Sequence, residues 1–461
     1  MNAKPLLIAS LLSAALASFA PSALAAEPAL RDKALGILKD SIAHRTVNGE
    51  QMVEYGNYLK GVLVDGGYRP EEVTVEAVAG SAILIARYPG SNPSLKPIVV
   101  LGHMDVVEAK PEDWERDPFT AVVENGYVFG RGASDNKFDV SMAVATLAKL
   151  RREGWKPGRD VILALSGDEE TKMATTAVLA ERLKNAELAI NIDGGGGLLV
   201  KGKAVNYGIQ GAEKSYADFR LVVTDAGGHS SRPTPGNPIY RLSRALAKLA
   251  EHRFPVMSND ITRENFRGIA AQFPGEMGEA MRRFADDPSD ATAVAVLERD
   301  LSNVGTLRTT CVATMLSGGH APNALPQRAE AVVNCRIFPG TPAEEVGKTI
   351  ASVLADPSIS ITRMEDGALD SPASPLRDDV MAAVKRAVHA RYPGLPVLPE
   401  MASGATDSMY FRAAGVPSYG LSGLFAENGE SYAHGLNERS PVAAIDYALD
   451  HHEVLLRELA K

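Results

Sequence analysis

The stretch "VILALSGDEE" (161–170) joins an apolar run of strand length to three consecutive carboxylates, Asp168 and the two glutamates Glu169 and Glu170. A short run of this kind, rich in branched residues, is typical of a strand buried in a parallel sheet. A buried strand has no structural need of adjacent carboxylates at its end. Glu169 and Glu170 therefore indicate a site at the edge of a sheet.

The chain on either side has the same organisation. "PIVVLGH" (97–103) and "LAINID" (188–193) also read as buried strands, and "KFDVSMAVATLAKLRREG" (137–154) is an amphipathic helix that ends at Gly154. Alternation of strands and helices predicts an α/β fold with a mainly parallel sheet and helices on both faces. In such sheets, ligands bind beyond the carboxyl ends of the strands.

From about residue 211 to 365 the pattern changes to that of an inserted α+β unit. It opens on the long alternating strand "KSYADFRLVVTDA" and contains a helical stretch from 259 to 303. The helix and strand pattern of the first unit returns after "SPASPL". The predicted parts are a signal peptide (1–25), a catalytic metal-binding domain (26–210 and 366–461) and an inserted lid or dimerisation domain (211–365).

Composition and the first residues bear on partners and location. The net charge of −9 argues against nucleic acid or an anionic membrane as partner. Lys4, the run "LLIASLLSAALASF" and "SALAA" have the form of a cleavable signal, with cleavage near Ala25. This predicts export to a periplasm or to the medium, with no membrane contact after cleavage. The alternative is an uncleaved lipid-facing anchor.

Two cysteines occur, Cys311 and Cys335, each on a predicted strand. If these strands pair antiparallel about Asn323, the cysteines lie opposite each other. A disulfide and two free buried thiols are then equally expected. Neither arrangement makes the cysteines catalytic, because no activating partner lies nearby in the sequence.

Polar side chains follow the predicted strands at the ends where a site is expected. His103 and Asp105 lie in "GHMD", Asp135 lies in "GRGASDNK", Asp193 follows "LAINI", and His434 lies in "AHGLNE". Histidines among carboxylates, without thiolates, suit zinc, cobalt or manganese in a hydrolytic site. Five ligands that include one bridging carboxylate would serve two ions about 3.5–4 Å apart. Clustered carboxylates repel one another unless a cation neutralises them.

The two adjacent glutamates are expected to have different roles in the site. One carboxylate can ligate metal while its neighbour accepts a proton from metal-bound water, and adjacency supplies both within a few ångströms. The remaining histidines of the predicted helices are expected to be solvated surface residues. These are His44, His252, His389, His451 and His452.

An ordered series of motifs resembles the dinuclear zinc exopeptidases and deacylases. That family includes aminoacylase, glutamate carboxypeptidase, carboxypeptidase S and succinyl-diaminopimelate desuccinylase. The resemblance covers nearly all of the predicted mature chain, and the 259–303 stretch is similar to that of the carboxypeptidase S-like branch. The motifs, in the family's order, are "GHMDVV", "WERDPF", "GRGASDNK", "SGDEE", "IDGG", "GGHSSRP", "APNALP", "CRIFPG", "GATDS" and "AHGLNE".

The resemblance implies two divalent ions per subunit, Zn²⁺ first, with Co²⁺ and Mn²⁺ as alternatives. The implied ligands are His103 and Asp193 on one ion, Glu170 and His434 on the other, and Asp135 as the bridge. Asp105 is implied to orient His103, and Glu169 to be the general base.

The resemblance also implies substrate-binding residues. His229 corresponds to a histidine that stabilises the developing oxyanion and that, in dimeric members, comes from the other subunit. Arg336 is suited to grip a terminal carboxylate in two places. Asn323, Gly404 and Thr406 correspond to further substrate-binding positions. A homodimer is implied by this pattern, although the long 259–303 stretch leaves the oligomeric state open.

The function expected first is an exported dinuclear zinc hydrolase that cuts an amide bond beside a free carboxylate. A metallocarboxypeptidase or dipeptidase acting on small peptides fits Arg336 and export. An N-acyl-amino-acid deacylase is the alternative within the class, because it would use the same arginine and metals. A periplasmic binding protein that has lost catalysis is the alternative of another class, and the complete set of ligands and base argues against it.

Overall fold

The computed structural model of the protein describes residues 28–364, 369–427 and 432–461. The predicted signal peptide, residues 1–25, lies outside the described residues, and so does the predicted domain boundary between 365 and 366. Within the described ranges, no helix combines the length and the apolar character required to cross a bilayer.

The helices of the described residues follow the sequence pattern closely; the predicted helix at 137–154, for example, spans Lys137–Arg152. In chain order the α-helices are α1 (Pro28–Ala43), α2 (Met52–Asp65), α3 (Lys137–Arg152), α4 (Ala174–Leu183), α5 (Pro238–Glu251), α6 (Asp260–Ile269), α7 (Glu276–Asp286), α8 (Ala291–Leu297), α9 (Leu301–Leu307), α10 (Ala343–Leu354), α11 (Asp378–Arg391), α12 (Ser408–Ala413) and α13 (Ala444–Leu459). Short 3₁₀ helices span Pro70–Glu72, Pro111–Asp113 and Ala270–Gln272.

The strands fall into two larger sheets and two small ones. In chain order they are β1 (Val73–Val78), β2 (Ser81–Tyr88), β3 (Ile98–His103), β4 (Val122–Glu124), β5 (Tyr127–Phe129), β6 (Val161–Ser166), β7 (Leu188–Asn191), β8 (Gly196–Val200), β9 (Lys203–Glu213), β10 (Ser215–Thr224), β11 (Gly228–His229), β12 (Thr310–Gly318), β13 (Ala324–Leu325), β14 (Arg328–Ile337), β15 (Ser360–Arg363), β16 (Val397–Ala402), β17 (Ser418–Gly420), β18 (Phe425–Glu427) and β19 (Arg439–Pro441).

The main sheet of the described residues has ten strands, in the order β1-β2-β6-β3-β7-β17-β9-β8-β18, with β16 paired to β9. Its centre is parallel: β6, β3, β7 and β17 run in one direction. Antiparallel pairs flank this centre, β1 and β2 on one side and β8 and β9 on the other. The predicted α/β fold with a mainly parallel central sheet is confirmed.

Helices cover both faces of the central strands. All residues of β3 and β6 are buried. Val100 of β3 packs in a core cluster with α1, α2, α3, α11 and α13, whereas its neighbours Val99 and Leu101 pack in a second cluster with α4 and α12. Successive strand residues point to opposite faces, so each face receives every second side chain. This double burial explains the unbroken apolar runs in the sequence.

The expectation of solvated histidines is wrong for His451 and His452. Both lie on α13 and are buried, because this face of the helix packs into the core of the main unit. His452 Nε2 lies 3.0 Å from Asp139 Oδ1, and His451 lies between the hydroxyls of Tyr207 and Tyr447. Burial lowers the pKa of His451 to about 3, so its ring is neutral.

A second sheet of four antiparallel strands, in the order β12-β14-β10-β15, lies in the inserted stretch. Helices α5 and α10 share its core cluster. Cys311 and Cys335 are direct partners across β12 and β14 and form a disulfide. The antiparallel pairing considered from the sequence is therefore present, and the disulfide is the arrangement that the structure contains.

The stretch from 259 to 303 is helical, as the sequence predicts, and consists of α6, α7, α8 and the start of α9. These helices have a core of their own, in which Phe266 and Phe284 meet edge to face. The group is anchored to the main sheet by α6, whose Asn265 side chain donates to the carbonyl of Pro399 in β16 at 2.8 Å. The inserted stretch thus touches the sheet that carries the site residues.

Candidate metal centre

The carboxyl ends of the central strands bring the predicted metal ligands together. His103 is the last residue of β3, Glu170 follows β6, and Asp193 follows β7. Asp135 precedes α3, and His434 lies in the loop between β18 and β19. Parallel strands present their carboxyl ends at one edge, so residues far apart in sequence become neighbours there.

Asp135 lies between the two histidines. Its Oδ1 is 3.0 Å from His103 Nε2, and its Oδ2 is 3.2 Å from His434 Nε2. On the far side of His103, Asp193 Oδ1 is 3.6 Å from Nε2, and beside His434, Glu170 Oε1 is 2.9 Å from Nε2. A carboxylate with each oxygen directed at a different histidine is arranged to bridge two ions.

These side chains form overlapping groups with the spacing that one ion requires. Within each group the potential ligand atoms lie within 4.8 Å of one another. One group is His103, Asp135 and Asp193, and another is Asp135, Glu170 and His434, so that Asp135 belongs to both. The donors are imidazole nitrogens and carboxylate oxygens, which suit zinc and related divalent ions. The donor set therefore fits the dinuclear centre that the sequence predicts.

The charges of the cluster call for a cation. Burial raises the pKa of Asp193 to about 7, because the ionised carboxylate loses water and faces other carboxylates. Hydrogen bonds to Asp135 and Glu170 raise the pKa of His434 to about 10. In the absence of a cation, the surroundings thus favour protonation of Asp193 and of His434. A divalent ion would neutralise the negative charge of these carboxylates in place of the protons.

Asp105 holds both His103 and the paired glutamates. Its backbone carbonyl accepts from His103 Nδ1 at 3.1 Å, which leaves Nε2 directed at the cluster. Its carboxylate Oδ1 lies 3.4 Å from the same Nδ1. The carboxylate also accepts the backbone N–H groups of Glu169 and Glu170, at 3.1 and 3.0 Å. Asp105 therefore orients a ligand and fixes the turn that carries the two glutamates.

Glu169 and Glu170 face a cleft of about 440 Å³ that also contains Arg336. Glu169 is only 9% exposed, and burial raises its pKa well above the ordinary value, with Asp193 among the carboxylates that add to the rise. A carboxylate that is ready to take up a proton suits a general base. Arg336 comes from β14 of the inserted sheet, so the cleft lies between the two sheets.

The loop before α12 forms another wall of this cleft through Ala405, which lies between the predicted residues Gly404 and Thr406. The Thr406 hydroxyl donates to Glu213 at 3.0 Å and accepts from the Asn191 side chain at 3.1 Å. Thr406 thus ties the loop to the end of β9. The space around the Cα of Gly404 is open, with no atom where a side chain would begin.

His229 and Asn323 lie together and do not line the cleft that contains Arg336. His229 on β11 pairs with Ala324 on β13, and the N–H of Ser230 donates to the Asn323 carbonyl at 3.1 Å. Both residues are exposed, and neither lines the cleft that contains Arg336. Within the described residues, the structure therefore gathers the metal ligands, Glu169 and Arg336, whereas His229 and Asn323 do not line their cleft.

Glu438 is a site residue that the sequence reasoning missed. Its carboxylate is fully buried and accepts the backbone N–H groups of Gly132, Ser134 and Asp135 at 2.8–2.9 Å, and it pairs with Arg131 at 2.7 Å. Glu438 thus joins the loop of the bridging Asp135 to the segment that follows His434. The sequence contained a signal for this residue, because Glu438 is the last residue of the motif "AHGLNE" that also contains His434.

A second and larger cavity, of about 840 Å³, adjoins the cluster at Asp135 and Asp193. It shares no lining residue with the Arg336 cleft. Apolar side chains from β8, β18 and their neighbouring loops form much of its wall. The cluster therefore lies between the cleft that contains Arg336 and a larger cavity with both apolar and charged side chains in its wall.

Comparison with known proteins agrees with this geometry. A family model described as "Peptidase family M20/M25/M40" matches residues 99–458. The chain is 28% identical over 416 residues to the N-fatty-acyl-amino acid synthase/hydrolase PM20D1 of Mus musculus, covering 87% of this chain and 81% of the relative. It is 26% identical over 395 residues to the probable carboxypeptidase S-like 2 of Dictyostelium discoideum, which covers 82% of this chain and 74% of the relative. Its fold is similar to that of the M20 family metallo-carboxypeptidase Sso-CP2 from Sulfolobus solfataricus, with a TM-score of 0.71, 20% identity and coverage of 93% and 99%.

Proposed function

The chain belongs to peptidase family M20/M25/M40, and from that premise we propose that it hydrolyses an amide bond beside a free carboxylate with the help of two divalent metal ions. The observation that carries the proposal is a single cleft lined by the ligands Glu170 and His434, by Glu169 and by Arg336. Its domains would be a metal-binding unit (26–210 and 366–461) and a lid (211–365).

The residues that would hold the ions are those of the cluster: His103 and Asp193 for one, Glu170 and His434 for the other, and Asp135 for both. When bound, two divalent ions polarise the scissile carbonyl and acidify a water molecule. Zn²⁺ is the first candidate for such a donor set, with Co²⁺ and Mn²⁺ as alternatives.

The protein's own groups would orient the substrate and move the proton. Arg336 would bind the substrate carboxylate with two parallel hydrogen bonds. Glu169 would take a proton from the attacking water and deliver it to the leaving nitrogen, and its raised pKa suits both transfers. Asp105 would keep the Glu169 carboxylate in place through the backbone N–H that it accepts.

Replacement of Arg336 tests the carboxylate clamp. We expect Arg336→Ala to raise KM by about 10- to 100-fold, with a smaller change in kcat, because hydrogen bonds between charged groups are lost. Steady-state kinetics on a substrate with a free carboxylate and on its methyl ester would measure the effect. Arg328→Ala is the matched control, since Arg328 is an exposed arginine of the same strand. An equal loss on acid and ester would contradict the role of Arg336.

The group on the acyl side of the scissile amide bond distinguishes two candidate substrate classes. An N-acyl amino acid is favoured by the apolar side chains in the cavity beside Asp135 and Asp193, and by the name of the mouse relative. A peptide, cut by a carboxypeptidase or dipeptidase, is the second candidate and is favoured by the carboxypeptidase S-like relative. The sequence put peptides first; the order proposed here puts N-acyl amino acids first, with the cavity as its support.

A panel of N-acyl amino acids, blocked dipeptides and free dipeptides tests the proposed function. The assay would use the protein without residues 1–25, with chelator and then with zinc, cobalt or manganese restored. We expect chelator-sensitive release of free amino acids, fastest from N-acyl substrates. No turnover with any metal would contradict the proposal, and faster release from peptides would establish the second candidate.

We also propose that two copies of the chain share their sites. The support is that His229 is exposed and does not line the Arg336 cleft, while the edge strand β12 presents Val312, Met315 and Leu316 at 58%, 66% and 64% exposure. An exposed apolar edge strand is suited to pair with another strand. His229 of one copy would then reach the substrate carbonyl held by the other.

Mixing two inactive variants tests this arrangement. Glu169→Gln disables the metal-binding unit and His229→Ala disables the lid, so a mixed dimer retains one intact site. With random exchange of subunits, about a quarter of all sites would be active. We expect the refolded or co-expressed mixture to regain that fraction of wild-type activity. A mixture no more active than the mean of the two variants would contradict shared sites.

Export to a periplasm or to the medium is part of the proposal and is supported by the signal-like pattern of residues 1–25. Fractionation of a bacterial host that expresses the full chain would test it. We expect the mature protein outside the cytoplasm, with an amino terminus near residue 26. Recovery of the uncleaved chain in the membrane fraction would favour an anchor instead.

A further inference from the structure

The two histidines of the metal cluster are held in different ways. The His103 side chain is 1% exposed and its Nδ1 donates to the carbonyl of Asp105, so burial and a hydrogen bond both fix the ring. The His434 side chain is 56% exposed. Within the described residues, its ring forms hydrogen bonds or ion pairs with the carboxylates of Asp135 and Glu170 and with no other group. Because metal-bound histidines usually have a partner on the second ring nitrogen, the position of His434 must come from its backbone.

The backbone of the turn that carries His434 adopts a conformation that needs support. His434 and Asn437 have φ angles of +61° and +54°, in the left-handed region that is uncommon for residues other than glycine. Such a conformation persists where the surrounding structure holds it. The N–H of Gly435 donates to the carbonyl of Tyr432 at 3.0 Å, and the guanidinium of Arg131 donates to the carbonyl of Gly435 at 3.2 Å. The shape of the turn therefore depends on where Tyr432 lies.

Arg439 holds Tyr432 from the other end of the turn. It is the first residue of β19, and its backbone pairs with Phe129 of β5. The guanidinium carbon lies 3.7 Å from the centre of the Tyr432 ring, and the guanidinium donates to the Tyr432 hydroxyl. The same carbon lies 5.3 Å from the ring centre of Tyr127 and 5.5 Å from that of Phe129. Because a guanidinium is attracted to aromatic faces, Arg439 fastens Tyr432 to the ladder of β5 and β19.

The contact between Arg439 and Tyr432 acts on one half of the metal centre. The adjacent Glu438 holds the loop of the bridging carboxylate, which serves both ions, through three backbone N–H groups. Arg439 acts instead on the turn of His434, which belongs to only one of the two ligand groups that share the bridge. The ligands of the other group, His103 and Asp193, are placed by β3 and β7. Loss of the contact should therefore affect one ion and spare the other.

We propose that Arg439 and Tyr432 are positioning residues for one of the two metal sites, because their contact keeps the exposed ring of His434 directed at Glu170 and Asp135. The inference rests on the proposed function, since it requires the dinuclear centre. Without the contact, the turn can relax out of its left-handed conformation and carry His434 away from Glu170. Loss of a residue that orients a ligand usually weakens metal binding by about 10- to 100-fold. We expect this loss for the ion of His434 alone.

Metal titration of Arg439→Ala measures the effect. The full mature chain, freed of metal by a chelator, is titrated with Co²⁺ against a competing chelator, and visible absorption reports the ligand geometry of each bound ion. We expect wild type to bind two ions. In Arg439→Ala, one affinity should fall by about 10- to 100-fold and the other should stay within about threefold of wild type.

Arg116→Ala is the matched control for this titration. Arg116 also stacks on an aromatic ring of β5, with its guanidinium carbon 4.3 Å from the ring centre of Phe129. Its side-chain hydrogen bonds go to Glu115 and Glu124 and not to the turn of His434, as far as the structure describes the chain. We expect Arg116→Ala to bind both ions with wild-type affinity.

Variants of Tyr432 test the contact from its other side. Tyr432→Phe retains the ring under the guanidinium and should keep both affinities within about threefold of wild type, whereas Tyr432→Ala should match Arg439→Ala. The double variant Arg439→Ala/Tyr432→Ala should be no weaker than either single variant, because both remove the same interaction. At saturating metal, kcat should return to within about threefold of wild type with KM unchanged. Thermal melting checks each fold, and Tyr432→Ala supplies the measurement if Arg439→Ala does not fold.

The outcomes separate this inference from the proposed function. Wild-type binding of both ions by Arg439→Ala, an equal loss of both ions, or additive losses in the double variant would overturn the positioning role while the metal centre stands. Failure of wild type to bind any ion would overturn both. Selective loss of one ion in Arg439→Ala and in Tyr432→Ala, with Arg116→Ala unchanged, would establish the role.

Discussion

Glu169→Gln is expected to lower kcat by about 10²- to 10⁴-fold, the usual contribution of a general base, while both metal ions stay bound. The amide has nearly the shape of the carboxylate but cannot accept the proton of the attacking water. The backbone N–H of residue 169 still donates to Asp105, so the turn is retained. Single-turnover kinetics together with elemental analysis of the purified variant would measure both properties.

The adjacent Glu170→Gln should behave differently. Glu170 contacts His434 at 2.9 Å within the cluster, so its loss should weaken metal binding by more than about 100-fold, beyond the usual effect of removing an outer partner. Glu181→Gln on α4, an exposed glutamate, is the inert control. If Glu169→Gln kept full activity, or if both variants lost metal alike, the separate roles of the two carboxylates would be wrong. A protein that only binds its ligand would tolerate Glu169→Gln.

Removal of the metal ions is expected to abolish activity, with a loss of at least about 10³-fold, because polarisation of the carbonyl and activation of water both disappear. Asp135→Asn should have the same effect on the protein with metal added back, since Asp135 contacts both histidines. Chelation, assay and restoration of zinc, cobalt or manganese would measure it. Asp378→Asn, at the exposed start of α11, is the control. Full activity of Asp135→Asn would contradict the bridging role.

Metal binding should also release protons. Hydrogen bonds to Asp135 and Glu170 raise the pKa of His434 to about 10, so in the metal-free protein this imidazole is protonated at neutral pH. A metal ion requires the neutral ring, and apparent affinity therefore rises as pH rises towards 10. Calorimetric titrations in buffers of different ionisation enthalpy would count the protons. Metal affinity that does not change between pH 6 and 9 would contradict this linkage.

Much of the fold and the metal ligands follow from local patterns. Apolar runs of strand length, alternating with an amphipathic helix at 137–152, require a sheet covered on both faces. Polar residues directly after those runs must then meet at one edge. His103, Glu170 and Asp193 could be placed together on this argument alone, and the cluster of the structure contains all three.

Other features depend on which distant segments meet. The family resemblance implies that Asp105 orients His103, but nothing in the sequence indicates that the Asp105 carboxylate accepts two backbone N–H groups from the turn that carries Glu169 and Glu170. Glu438 pairs with Arg131 across 307 residues of chain. His451 and His452 look like surface residues, because helical spacing does not say how much of α13 is covered. Periodicity reports which side of an element is apolar and not what lies against it.

The sequence by itself therefore determined the fold class and the kinds of atoms that gather at the sheet edge, because strand ends and ligand types are local properties. The family followed from the resemblance of an ordered series of motifs. The tertiary structure alone decided that His229 does not line the Arg336 cleft, that Cys311 and Cys335 are joined, and that a second cavity adjoins Asp135 and Asp193. A cavity is the space left when segments far apart in sequence pack together, so its size and lining depend on the packing of the whole unit.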